Sequence, residues 1–186
     1  MRNLKSLFVL IILFLGTSNL TAQFKSGEII AGASMGFVPQ TTGTVTLPPI
    51  GIMGEYALTE NIIGGIYAGY TSSENSDAIW DLRWRDNLII IGIRGSYNFE
   101  LTKNFDVYGG LFYGYTIASS VLLEGEWPLN TNVLGLNIGQ TRLAGFVGAR
   151  YLIDNRFGFF GELGYGISLM NVGVVVNLGR HELPFL

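Results

Sequence analysis

From residue 28 onward, apolar residues recur at every second position. In the stretch from Leu88 to Phe99, Ile89, Ile91, Ile93, Gly95, Tyr97 and Phe99 share one face. Ile90, Gly92, Arg94, Ser96 and Asn98 share the other. A two-residue period is that of a β-strand with unlike faces. The pattern returns at 105–116, where Phe105, Val107, Leu111, Tyr113 and Tyr115 oppose Asp106, Tyr108, Gly110, Gly114 and Thr116. It returns at 142–151, with Leu143, Val147, Ala149 and Tyr151 opposite Arg142, Ala144, Gly148 and Arg150. It returns again at 157–166, with Phe157, Phe159, Leu163 and Tyr165 opposite Gly158, Glu162, Gly164 and Gly166. Further strands are predicted near 28–37, 50–58, 62–71 and 170–179, which makes eight. This stretch shows no helical periodicity.

The predicted connections alternate in length. Short ones fall at 59–61, 101–104 and 153–156, each with a turn-forming Asn or Asp. Longer ones fall at about 38–49, 72–87 and 117–140, with a shorter one near 167–169. Short turns at one end and long loops at the other suit a membrane barrel whose strands need roughly 9–11 residues each.

Alternation does not say which face is inside. A soluble barrel turns its apolar face inward, toward a hydrophobic ligand; a membrane barrel turns it toward lipid. Three features favour the membrane. The polar face carries few charges, whereas a water-exposed exterior would carry more Lys and Glu. Aromatics gather at both ends of the apolar face. Tyr56, Tyr97, Phe99, Phe105, Tyr151, Phe157 and Phe159 lie near the short turns. Phe37, Tyr70, Tyr113, Tyr115 and Tyr165 lie near the long loops, with aliphatics and glycine between. Third, residues 1–22 read as an export signal. Arg2 and Lys5 precede an apolar run from Leu7 to Leu15, too short to cross a bilayer, and small Ala22 suits cleavage. Residues 23–186 are then the barrel.

Composition narrows the classes. The 186 residues are 48% apolar and 13% charged, which excludes disorder. Cysteine is absent, which excludes disulfides, thiolate metal sites and a cysteine nucleophile. Losing Arg2 and Lys5 moves the formal charge from -3 to -5, a poor match for nucleic acid. Gly64-Gly65-Ile66-Tyr67-Ala68-Gly69 and the run Gly109 to Gly114 mimic phosphate-loop spacings. No helix follows them, so they read as close packing in a narrow barrel.

The alternating strands, the Asn-bearing turns, the pairs Gly69-Tyr70, Gly114-Tyr115 and Gly164-Tyr165, and Asn171-Val172-Gly173 carry a resemblance. Together they resemble the small eight-stranded outer-membrane barrels of Gram-negative bacteria, the OmpA/OmpX-like superfamily. The resemblance covers 23–186 and implies an antiparallel up-and-down transmembrane β-barrel. It also implies a bacterial outer-membrane location with both termini in the periplasm, contact with outer-membrane lipid and lipopolysaccharide, and delivery by the barrel assembly machinery. A monomer without cofactor or metal is expected. The chain departs from the family at its end, where members commonly close on an outward aromatic. Here Gly179 to Leu186 runs on, and Pro184 cannot donate to a ladder.

The inward face is expected to hold an ionic cluster of Glu55, Arg94, Arg142, Arg150 and Glu162, with Glu28 and Asp106 nearer the short turns. Eight strands leave an interior that side chains fill. Buried charges there must pair, and Arg150 with Glu162 is the expected pair. The cluster reads as a plug of salt bridges, or else as an ion path. Catalysis is not expected. The single histidine, His181, falls at the short-turn end, away from a lipid-facing site at the long loops.

The expected role is envelope structure or surface recognition through the loops, with a narrow channel for ions or small solutes as the alternative. Trp80, Arg83, Trp84 and Arg85 in loop 72–87, with Trp127 in loop 117–140, form a candidate patch. Alternatively, 79–87 prolongs the fourth strand above the membrane. Trp80 and Trp84 would then join the interface girdle, which needs a bulge before Ile89.

Overall fold

The computed structural model describes residues 24–125, 138–154, 156–164 and 166–180. Eight strands form: β1 Glu28–Gly36, β2 Thr44–Ala57, β3 Ile62–Asp77, β4 Leu82–Thr102, β5 Phe105–Glu124, β6 Ile138–Ile153, β7 Phe157–Gly164 and β8 Met170–Arg180. Each pairs antiparallel with its neighbour, and β1 pairs with β8 to close the barrel. Closure leaves no open sheet edge along the paired length. The export segment 1–22, Trp127, Tyr165 and His181 lie outside the described residues.

The faces fall as the alternation predicts. Ile52, Ile66, Ile93, Leu111, Leu143, Val147, Val174 and Leu178 point outward and are exposed. Tyr97, Phe99, Tyr151, Phe157 and Phe159 ring the short-turn end of this band, and Tyr113 and Tyr115 the other end. An exterior of this kind is stable only against hydrocarbon. It is the reverse of what a soluble barrel around an apolar ligand requires.

At the long-loop end the alternative of a prolonged fourth strand holds from Leu82 onward. Residues 72–77 and 82–87 continue β3 and β4 as a hairpin closed by a four-residue turn at 78–81. β5 continues beside them to Glu124, and β2 begins at Thr44. Cross-strand chemistry accounts for the extension. Glu74 stands opposite Arg85, and Arg83 opposite Glu124. Opposite charges at paired positions stabilise a sheet. Asp81 closes the hairpin at φ 48°, a conformation Asp tolerates better than most residues.

Two buried apolar clusters fill the lumen toward its ends. Phe24, Ile30, Met53, Ala57, Ile63, Leu152, Phe160 and Val175 fill the short-turn half. Ile90, Phe112, Ala144 and Ile167 fill the long-loop half. The charged site lies between them.

Candidate functional site

Register places the lumen charges in rows across the wall. Glu55, Gly65 and Arg94 occupy successive partner positions on β2, β3 and β4. Glu100, Asp106, Arg150 and Phe160 do so on β4 to β7. Asn98, Tyr108, Gly148 and Glu162 form the row between. Two glycines are the gaps across which long side chains reach. A Cβ on Gly65 would sit 2.5 Å from Gly54 O and 2.9 Å from Glu55 Cγ. A Cβ on Gly148 would sit 2.5 Å from the Tyr108 ring, which lies over it toward Glu162.

The charges alternate through the lumen. Glu162 pairs with Arg94 through a short contact to Nη2, and Arg94 Nη1 donates to Glu162 Oε2 at 3.3 Å. The other edge of the Arg94 guanidinium pairs with Glu55, Nε to Oε1, at 2.9 Å. Glu55 Oε2 lies 3.5 Å from Arg150 Nη1, and Arg150 Nε lies 3.6 Å from Asp106 Oδ1. Neutral groups complete the set. Tyr108 OH donates to Glu162 Oε1 at 2.9 Å, and Arg150 Nη2 donates to Asn98 Oδ1 at 3.4 Å. Each guanidinium also lies over a ring: Arg94 over Phe146 at 4.2 Å, and Arg150 over Tyr108 at 4.9 Å. All five charged groups are buried. Each buried charge faces at least one of opposite sign, with three carboxylates sharing two guanidiniums.

Four of the five expected lumen residues are brought together. Arg142 is not with them. It lies nearer the long loops, where Nη1 donates to Gln40 Oε1 at 3.0 Å and to Gly166 O at 3.2 Å. The expected pairing of Arg150 with Glu162 is replaced by Arg94–Glu162 and Arg150–Asp106. The reason is register: Arg150 stands opposite Phe160, and Glu162 opposite Gly148, where Tyr108 and Arg94 reach it first. Asp106 joins the network, and Tyr108, Asn98 and Phe146 are members that charge counting overlooks. Their inward parity was the available signal.

Among the described residues, the segments around Pro39 and Ser168 fold over the long-loop mouth. Ser168 Oγ lies 2.9 Å from the carbonyls of both Val38 and Met170, which share its one proton, and Pro39 bridges Ser168. Ile167 beside it is buried in the lumen. Between this closure and the network remains a cavity of about 40 Å³ lined by Tyr67, Arg94, Phe112, Phe146, Glu162 and Asn171 among others.

The candidate loop patch is divided by the sheet. Arg83 and Arg85 face outward and pair with Glu124 at 3.4 Å and Glu74 at 2.6 Å. Trp84 has the opposite parity. Its Nε1 donates to Asp86 Oδ2 at 3.3 Å, alongside Asn75 Nδ2 at 2.7 Å, and Ser120 donates to Asp86 Oδ1. The β3–β4 ladder runs without a bulge from Leu82 to Tyr97, so Trp84 does not join the lipid girdle. Trp80 sits in the hairpin turn, 58% exposed, beside Ile79 at 86%.

A closed eight-stranded antiparallel barrel with a filled, charge-paired lumen and an apolar girdled exterior is the fold of the small outer-membrane barrels. Among solved structures the chain is similar to the N-terminal barrel domain of OprF from Pseudomonas aeruginosa. That likeness has 14% identity and a TM-score of 0.57, over 83% of this chain and 100% of that one. Looser likenesses link it to OprG of the same species (16% identity, TM-score 0.49, over 84% and 93%) and to Ail of Yersinia pestis (12%, 0.45, over 81% and 93%). No family model and no curated protein matches the chain. The OprF likeness establishes a shared fold.

Proposed function

We propose that this protein is an exported, non-enzymatic β-barrel of the bacterial outer membrane. It spans the bilayer as a plugged cylinder and presents the β3–β4–β5 extension for surface recognition. The observation that carries the reading is the filled lumen. Apolar side chains occupy both halves, and the five-charge network crosses between them. Among the described residues, the cavity of about 40 Å³ beside Arg94 and Glu162 has room for ordered water. Each buried carboxylate of the network faces a guanidinium, so none stands open to a substrate. Lipid and lipopolysaccharide are the surroundings the apolar band fits, and the barrel assembly machinery is the route such a fold requires.

Planar-bilayer recordings test the plug. The expected result is a silent membrane, and stable, reproducible unit conductance would replace the plug with a narrow channel. The recognition half rests on the hairpin apex. The Ile79 amide donates to Asp77 Oδ1 at 2.8 Å, which fixes two apolar side chains at the tip of a paired sheet. Replacing Ile79 and Trp80 with serine is expected to abolish adhesion of intact cells to protein-coated surfaces while leaving the heat-dependent gel shift of a folded barrel unchanged. Unaltered adhesion would remove the recognition role.

A further inference from the structure

Before β1 begins, the chain turns into the barrel instead of away from it. Phe24 is 1% exposed and packs with Ile30, Met53, Ala57, Ile63 and Leu152 in the short-turn half of the lumen. Its ring lies beneath Arg150, 4.8 Å from centroid to guanidinium carbon. Three hydrogen bonds hold the reversal. Gly27 N donates to Ala57 O at 2.9 Å, Ser26 Oγ to Leu58 O at 3.0 Å, and Glu28 N to Lys25 O at 3.1 Å. Gly27 has φ +92°, a conformation that side chains disfavour, so the turn is encoded at that residue. Lys25 and Ser26 stay exposed, and the one apolar residue of the segment is the one inside.

Phe24 belongs to no strand and has no ladder partner. The sheet closes without it, so its burial is not imposed by strand pairing. The lumen at this level offers Ile30, Met53, Ile63, Leu152, Phe160 and Val175, and the Phe24 ring packs among them. An aromatic face toward a guanidinium adds a favourable contact in a site with little water.

We propose that Phe24–Gly27 is a stopper seated in the short-turn mouth of the lumen, and that the pocket receiving it is a binding site for one aromatic ring, occupied in cis by Phe24. The stopper keeps water and solutes from the Arg150–Asp106–Glu55 end of the network. Its withdrawal opens that end without breaking any strand pairing. This goes beyond the plugged-barrel reading, because it makes one end of the plug a detachable part.

The chain has no cysteine, so a single Ser96→Cys reporter is unambiguous. Ser96 is buried, with its Oγ 3.4 Å from Asn98 Nδ2, on the far side of Arg150 from Phe24. The experiment is labelling of this thiol by a small cationic methanethiosulfonate in detergent-folded protein. Labelling is expected to be slow with Phe24 present and roughly tenfold or more faster with Phe24→Ala, as for any group exposed by a local opening. Benzene should slow it again in Phe24→Ala and leave the parent unaffected, since ring-sized apolar cavities take up benzene. The gel shift confirms that each variant is folded. No acceleration in Phe24→Ala, fast labelling with Phe24 in place, or no effect of benzene would each overturn the proposal. If Phe24→Ala does not fold, Gly27→Ala keeps the ring and strains the turn. It must accelerate labelling, and an unchanged rate overturns the stopper.

Discussion

Gly148 and Arg94 set the lumen chemistry at the residue scale. Tyr108 lies flat over Gly148 to reach Glu162, and a methyl group there would meet its ring at 2.5 Å. Gly145 lies on the outer face of the same strand, with nothing nearer than Gly110 O at 4.0 Å. Gly148→Ala is therefore expected to destabilise by about 1–3 kcal/mol, the range for overpacking, while Gly145→Ala stays near neutral. Urea unfolding of the two variants in lipid vesicles checks the contrast, and equal effects would mean that Tyr108 does not lie where described. Arg94 holds Glu55 and Glu162 together. Arg94→Met leaves buried Glu162 without a cation and Glu55 with Arg150 alone, and is expected to cost about 3–5 kcal/mol. Arg142→Met, which removes two hydrogen bonds nearer the mouth, is expected to cost about 1–2 kcal/mol. The same titration ranks them, and the reverse order would rule out a network centred on Arg94.

Among the elements, the β3–β4 hairpin differs most from its sequence pattern. Strands 88–99 and 105–116 were legible because one face must be apolar and the other must not. Above Ile89 the odd positions Arg83, Arg85 and Asn87 turn polar while the even face mixes Leu82, Trp84 and Leu88 with Asp86, so the two-residue period loses its contrast. Glu74 with Arg85 and Asn75 with Asp86 carry the pairing there, and such partners can be recognised only once the turn is placed. The place of Trp84 stays open in the sequence for the same reason: without the register, its even parity fits a loop patch or, with a bulge, the interface girdle. Asp86 is the joint of the extension, accepting from Asn75, Trp84 and Ser120. Asp86→Ala is expected to make the 72–87 hairpin a site of rapid proteolytic cleavage, because local openings of an element track the bonds that hold it. The gel shift should persist. A hairpin that resists protease as before would show that its backbone ladder alone makes it rigid.

In the whole molecule, the number of strands and the orientation of the faces were written in the alternation, while the partners within the lumen were not. Arg94 on β4 meets Glu162 on β7 across the barrel, 68 residues apart, and only closure and stagger bring them together. Adjacent residues suggested Arg150 with Glu162, because a hairpin is the one long-range contact that sequence spacing reveals. Orientation can be tested on the assembled barrel with two outward residues of similar exposure. Ile93, 61% exposed, lies within the apolar band opposite Tyr113, and Val121, 51% exposed, lies on the extension beyond Tyr115. If water surrounded both, arginine at either position would be close to neutral, as at most surface sites. If hydrocarbon surrounds the band, Ile93→Arg should cost about 2–4 kcal/mol and Val121→Arg about 0–1 kcal/mol, following depth. Reversible unfolding in lipid vesicles reads the difference directly. Two near-neutral substitutions would place the apolar band outside the membrane and leave its exposed isoleucines without a solvent.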